Sequence, residues 1–233
     1  MALAHTPDSL RIGADRELQQ ALRACWQRDE SFSHTPVQWL AEQFSSLVPH
    51  LIQEQRFQPD WEPLLKDAHD AEAQGHKPSV IGPLTYLWFA QAEQGLDKLD
   101  LLERLLPAYG EIFGRLAARG VEWVQIDEPI LTLDLPLEWR NAFERAYHIL
   151  QYSPLKKLVA TYRGDLKDNL GVAALLPVTG LHIDSVSVPE QLAPVFDRLP
   201  TYKVLSLGSA SDQVELVQEA RARFGDNLLL ACA

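Results

Sequence analysis

Gly120-Val-Glu-Trp-Val-Gln-Ile-Asp-Glu-Pro129 reads as a β-strand that runs straight into two adjacent carboxylates and a proline. With a strand's period of two, Val121, Trp123, Gln125 and Asp127 share one face, and Glu122, Val124, Ile126 and Glu128 share the other. Pro129 has no amide hydrogen to give a ladder, so pairing stops there and Asp127 and Glu128 fall at the strand's C-terminal end. In parallel α/β proteins ligands gather at that end. The same pair also suits a plainer role, a solvated rim whose carboxylates cap a helix start. Spacing alone leaves both readings open.

Downstream and upstream of this strand the chain repeats its texture. Strands are predicted over Ser79–Leu84, 121–127, 157–162, 180–186, 203–207 and 227–231, with helical segments near 97–119, 137–150, 166–175, 189–198 and 211–223. Short apolar strands separated by helices argue a parallel sheet. The last strands recur roughly every 23 residues, close to the least a βα unit can occupy, which favours a barrel over an open sheet. Residues 77–233 therefore read as βα repeats, and 1–76 as a helical N-terminal segment. In that segment a helix follows Asp15 with Leu18, Ala21, Leu22 and Cys25 on its buried face. A second opens at Thr35-Pro36 with Trp39, Leu40, Phe44 and Leu47 as its stripe, and a third runs from Asp60 through Leu64, Leu65 and Ala68 to Gly75. Nothing between Arg16 and Lys77 reads as extended.

Composition narrows the function classes. The chain has 233 residues, enough for one large core, and 46% of them are hydrophobic, as a globular fold requires. A net charge of −11 disfavours nucleic acid or an anionic membrane as partner. No apolar run is long enough to span a bilayer, and the N-terminus has no signal-peptide pattern. Cys25 and Cys232 form no C-x-x-C pair, so the expected home is a reducing cytoplasm.

In a barrel the polar residues at strand ends converge on one mouth. Here these are Thr85, Asp127, Glu128, Tyr162, Arg163, Asp184, Ser185, Ser206, Gly208 and Cys232. His182 and Asp184 lie two apart on one face, a pattern that fits a metal pair, an acid/base pair, or two groups that hydrogen-bond each other and the backbone. No third metal ligand is evident from spacing. A nucleophile elbow, a P-loop and a G-x-G-x-x-G are all absent, and Gly82-Pro-Leu-Thr85 reads as a strand-end turn.

Ile81-Gly-Pro-Leu-Thr-Tyr-Leu-Trp88, Gly120–Pro129 and Gly180-Leu-His-Ile-Asp184, in that order, resemble the N-terminal domain of cobalamin-independent methionine synthase. The opening, Arg11-Ile-Gly13 followed by Arg16-Glu-Leu-Gln19, resembles that family's start. The resemblance implies an α/β fold of the TIM-type (β/α)8 class, taken from a two-barrel enzyme. That enzyme moves a methyl group from methyltetrahydrofolate polyglutamate to the zinc-bound thiolate of homocysteine, in methionine biosynthesis.

The departures from the family shape the functional expectation. In the family, zinc, homocysteine and the proton donor belong to a C-terminal barrel, to which nothing in these 233 residues corresponds, so the resemblance implies no metal, no cofactor and no independent catalysis here. Leu133 stands where the catalytic barrel's related segment carries another Glu. The family's folate-tail motif maps onto Arg16, Glu17, Leu18 and Gln19, and a second tail-binding lysine maps onto Gln38, so both lysines are glutamines. These five are the substrate-binding positions the resemblance implies, while Asp127, Glu128, His182 and Asp184 are the barrel-mouth candidates. The family's second strand is not found, so an incomplete barrel is expected, patched by the N-terminal helices or by self-association. Two functions stay open: a non-catalytic domain, or a folate- or small-acid-binding component that works with a separate catalytic barrel.

Overall fold

The computed structural model describes residues 9–13, 16–27, 43, 46–209 and 213–232. The chain opens with β1 (Ser9–Ile12) and α1 (Arg16–Trp26), then β2 (His50–Leu51), β3 (Arg56–Pro59) and α2 (Trp61–Ala73). The repeats follow: β4 (Ser79–Ile81), α3 (Pro83–Phe89), β5 (Gln91–Ala92), α4 (Leu102–Ala118), β6 (Trp123–Asp127) and α5 (Leu137–Leu150). They continue through β7 (Lys156–Ala160), α6 (Leu170–Leu175), β8 (Gly180–Asp184), α7 (Leu192–Arg198), β9 (Val204–Ser209), α8 (Val214–Phe224) and β10 (Leu228–Cys232).

Six strands form one parallel sheet in the order β10-β9-β8-β7-β6-β4. Period two sorts each strand. Val124 and Ile126 of β6, fully buried, point to the helix layer, where Tyr109, Phe113, Phe143 and Tyr147 are also fully buried. Each such side chain contributes about 1.5–3 kcal/mol of burial. The opposite face carries Gln125, Leu158, His182 and Ser206, which line a single cavity. The architecture is thus barrel-like and incomplete: among the described residues the outer edges of β4 and β10 have no strand partner. Side chains of α1 and α2 line the same cavity as the inward faces of the strands, so the N-terminal helices wall it.

The segment between Arg16 and Lys77 is not wholly helical. His50–Leu51 pairs with Gln91–Ala92, and Arg56–Pro59 pairs with Ser9–Ile12, both parallel. These strands are two to four residues long, too short to show a period. Their pairing is set by distant partners, not by local propensity. A strand is therefore present where none was expected, but it builds a separate two-stranded sheet with β1, against α4, and does not join the main one. The expected helix at Thr35-Pro36, with Trp39, Leu40, Phe44 and the tail-binding position Gln38, lies outside the described residues.

A second correction concerns Ser79–Leu84. The strand ends at Ile81, and Gly82 is the N-cap of α3 with Pro83 in its first turn, so Gly82–Thr85 is a helix start rather than a turn closing a strand. Two lysines then tie helix C-termini, and a third ties the loop before β7. Lys157 Nζ donates to the Ser153 and Leu155 carbonyls of the loop between α5 and β7, while Lys98 donates to those of Trp88 and Ala90 at the end of α3 and Lys203 to those of Ala174 and Leu176 at the end of α6. At the two helix ends the cation satisfies orphan carbonyls and complements the helix dipole. Among the described residues no helix is long and apolar enough to cross a membrane.

Candidate binding site in the barrel cavity

The adjacent carboxylates Asp127 and Glu128 part company. Glu128 leaves the cavity and caps α3: its carboxylate accepts hydrogen bonds from the Leu84 and Thr85 amides at 3.2 and 2.8 Å, from Thr85 Oγ1 at 2.6 Å and from Tyr147 Oη at 3.1 Å. Gly82 is required by this arrangement, because a Cβ there would sit 2.1 Å from the Glu128 carboxyl carbon. Burial pushes the Glu128 pKa up to about 7, against the pull of Thr85, Leu84 and Tyr147, which favour the anion. This member of the pair is the capping carboxylate of the plainer reading.

Asp127 faces the sheet's inner side and is fully buried. Gln125 Nε2 donates to its Oδ1 at 2.8 Å; Tyr162 Oη donates to Oδ2 at 2.8 Å, and Arg23 Nη2 reaches the same oxygen at 3.4 Å. Burial raises the Asp127 pKa, and the same three neighbours oppose the rise. The Arg23 guanidinium also lies over the Tyr162 ring, 5.9 Å from its centroid. Trp26, one turn on, packs edge-on against Tyr162 and Phe89 and donates to Thr132 Oγ1 at 2.9 Å. Helix α1 is thereby fixed to the C-terminal end of β6.

The register sets Asp127, Ala160, His182 and Ser206 in one row across four neighbouring strands, with Gly208 one layer further on. His182 Nδ1 meets Ser206 Oγ at 2.9 Å, and burial pushes the imidazole pKa down to about 4, so the ring is neutral at pH 7. Asp184 instead accepts from the Val186 amide and Ser187 Oγ at 2.9 and 2.6 Å. Both line the cavity, yet each is bonded elsewhere. Across-strand neighbours are closer than same-face neighbours along one strand, which is why Ser206, not Asp184, partners the ring.

The motif positions on α1 are bound into the fold. Arg16 pairs with Asp67 at 2.5 Å and Asp70 at 3.4 Å, joining α1 to α2. Gln19 is buried and donates to the Ser79 carbonyl at the edge of the main sheet, at 3.1 Å. Leu18 is core, and Glu17 is exposed. Arg23 escaped the sequence reading; the signal for it was the polar stripe Arg16, Gln19, Arg23, spaced three and four apart on the first helix. The cavity has a volume of about 1340 Å³. Among the described residues no three His, Cys, Asp or Glu side chains group to hold a metal ion.

Comparison with known proteins bears on this geometry. A methyltransferase from Methanosarcina mazei superposes with a TM-score of 0.48 at 11% identity, covering 85% of this chain and 57% of that one. The B12-independent methionine synthase from Shewanella sp. W3-18-1, solved in complex with selenomethionine, superposes with a TM-score of 0.52 at 14% identity, covering 88% of this chain. The latter likeness is one of fold, and the chain spans 60% of that structure's length. The family model for the N-terminal domain of cobalamin-independent synthase matches residues 30–211; the opening motif Arg11–Gln19 falls before this span, while the Asp127-Glu128-Pro129 and His182–Asp184 segments fall within it. On that match, which takes in well over half of its residues, the chain belongs to the family of the cobalamin-independent methionine synthase N-terminal domain.

Proposed function

We propose that this chain serves folate-dependent methyl transfer in methionine biosynthesis as a cytoplasmic, methionine-synthase-like N-terminal domain that performs no methyl transfer by itself. The observation that carries this reading is the fate of the folate-tail motif: Arg16 is paired by two carboxylates and Gln19 is bonded to the Ser79 carbonyl. A polyglutamate tail needs unpaired cations, and an acidic chain steers polyanions away. The test is methyl transfer from methyltetrahydrofolate triglutamate to homocysteine, by the chain alone and with a C-terminal barrel of the family added in trans. No turnover alone is expected. Turnover by the chain alone overturns the reading.

A second reading has an observation of its own. The cavity keeps polar inward residues and a half-exposed arginine, which favours a small-acid-binding component that works with a separate catalytic barrel. Stimulation of that barrel in trans would favour this version over the first.

A further inference from the structure

The N-terminal ends of three neighbouring strands carry an apolar face. Tyr152 precedes β7, Leu175 precedes β8 and Tyr202 precedes β9, and they are 79%, 73% and 78% exposed. Ile149, in the last turn of α5, is exposed as well. A large apolar side chain exposed singly is ordinary, but a set along one rim marks a contact surface. The loops that carry this set are fixed. Lys157 Nζ donates to the Ser153 and Leu155 carbonyls, just after Tyr152, and Lys203 Nζ to the Ala174 and Leu176 carbonyls on either side of Leu175. The Thr179 amide donates to the Lys157 carbonyl at 3.0 Å and the Val204 amide to the Thr179 carbonyl at 2.9 Å, so the three loops form one edge.

Charge separates the two ends of the sheet. The loops 151–157, 175–179 and 198–203 hold none of the chain's 32 Asp and Glu residues, and they carry Lys156, Lys157, Arg198 and Lys203. Glu122 and Asp197, on adjoining segments, are paired with Lys156 and Arg223. Arg119 before β6 and Asp226 before β10 offset each other at the flanks. The C-terminal end exposes apolar groups too: Leu137, Val186 and Val214, which follow β6, β8 and β9. Here Asp134, Glu138, Glu190 and Glu215 accompany them, while Arg163 and Lys167 after β7 are offset by Asp165 and Asp168.

We propose that these two ends dock on each other between copies, the acidic C-terminal rim of one chain seating on the cationic N-terminal face of the next. Charge complementarity selects this orientation of a second copy, because face on face would oppose cations and rim on rim would oppose carboxylates. The net charge of −11 repels at long range, but at physiological salt that repulsion is screened beyond about 8 Å while groups in contact are not. The contact is heterologous, so it repeats from chain to chain instead of closing a pair.

The test is light scattering by the intact chain at physiological salt. The weight-average mass should rise at least about twofold as the chain is concentrated. Tyr152→Asp with Tyr202→Asp spoils the face, and Leu137→Lys with Val186→Lys spoils the rim; all four positions are exposed, and circular dichroism checks that each variant is folded. Tyr152→Ser with Tyr202→Ser removes the same anchors without adding charge, and should weaken association at least about tenfold. Each charged variant should remain a single chain alone. Their mixture keeps one intact face and one intact rim, so it should reach about twice the mass of one chain and stop there. The proposal is overturned if the parent stays a single chain at every concentration, or if the mixture does. It is equally overturned if either folded variant associates as the parent does, a result that would assign association to the open edge of β10.

Discussion

Arg23 and Asp127 stand 104 residues apart in sequence and meet at 3.4 Å, joining the first helix to the C-terminal end of the central strand. Asp127 is fully buried, so the arginine partly offsets its desolvation while Gln125 and Tyr162 supply the shorter bonds. Arg23→Ala should destabilise the chain by about 1–3 kcal/mol, and Asp127→Asn by less than Asp127→Ala. Urea unfolding of the single and double variants measures the coupling. Strictly additive effects would show that the pair does not hold α1.

Glu128 predicts a pH dependence. Its pKa is raised in the folded state, from 4.5 to about 7, so between those values the folded chain binds more protons than the unfolded chain. The contribution is fully present below about pH 4.5 and is lost as pH rises through about 7, on the order of 1–3 kcal/mol. Asp127, also raised, adds in the same direction. His182, pushed down to about 4, works the other way below about pH 6.5, so the signature is the comparison of variants. Between pH 5.5 and pH 8 the parent should lose stability relative to Glu128→Gln, whatever the variant's own stability. An unchanged slope in Glu128→Gln would assign the effect elsewhere.

Lys203 is buried, donates to two carbonyls at the end of α6, and has its pKa pushed down to about 8 by burial. Lys203→Met fits the apolar stem but leaves both acceptors unpaired, an expected loss of about 1–3 kcal/mol at pH 7. The exposed cation Lys167 serves as control, and its loss should cost much less. Equal midpoints for Lys203→Met and the parent would show that the carbonyls find other donors.

The folate tail gives a binding prediction. Methyltetrahydrofolate triglutamate should bind no better than the monoglutamate. Gln19→Lys combined with Gln38→Lys should favour the triglutamate selectively, with an advantage that shrinks as salt is raised. Tight triglutamate binding by the unmodified chain, measured by calorimetry, would reveal another cationic surface.

Zinc should be absent from purified protein at stoichiometric level. Cys25 is buried on α1 beside Leu22 and Trp26, an apolar setting for a thiol. One tightly held zinc per chain by elemental analysis, lost on mutating Cys25 or Cys232, would contradict this.

The sequence was legible where periods are long. The first helix is legible from the spacing of Leu18, Ala21, Leu22 and Cys25, and the strands after residue 120 from short apolar runs bracketed by helices. The predicted strand Ser79–Leu84 runs past its true end at Ile81 because a continuous apolar run suits a strand and a buried helix alike; Glu128, 43 residues after Thr85, decides between them by capping the amides. The candidate site was half visible. Asp127, His182 and Asp184 stand out at strand ends, but their partners Arg23 and Ser206 are chosen by register and helix docking, which local spacing does not encode.

The unequal position of the six strands has a kinetic consequence. β7 and β8 are flanked by a strand on each side, while β4 and β10 each have one flank without a strand partner among the described residues. Leu230 on β10 is 47% exposed. Opening an outer strand breaks one ladder; opening an inner one breaks two and uncovers the core. Amide hydrogens should therefore exchange with solvent in order from the rim inward, with β10 fastest and Val159 and Leu181 retained until the whole domain unfolds.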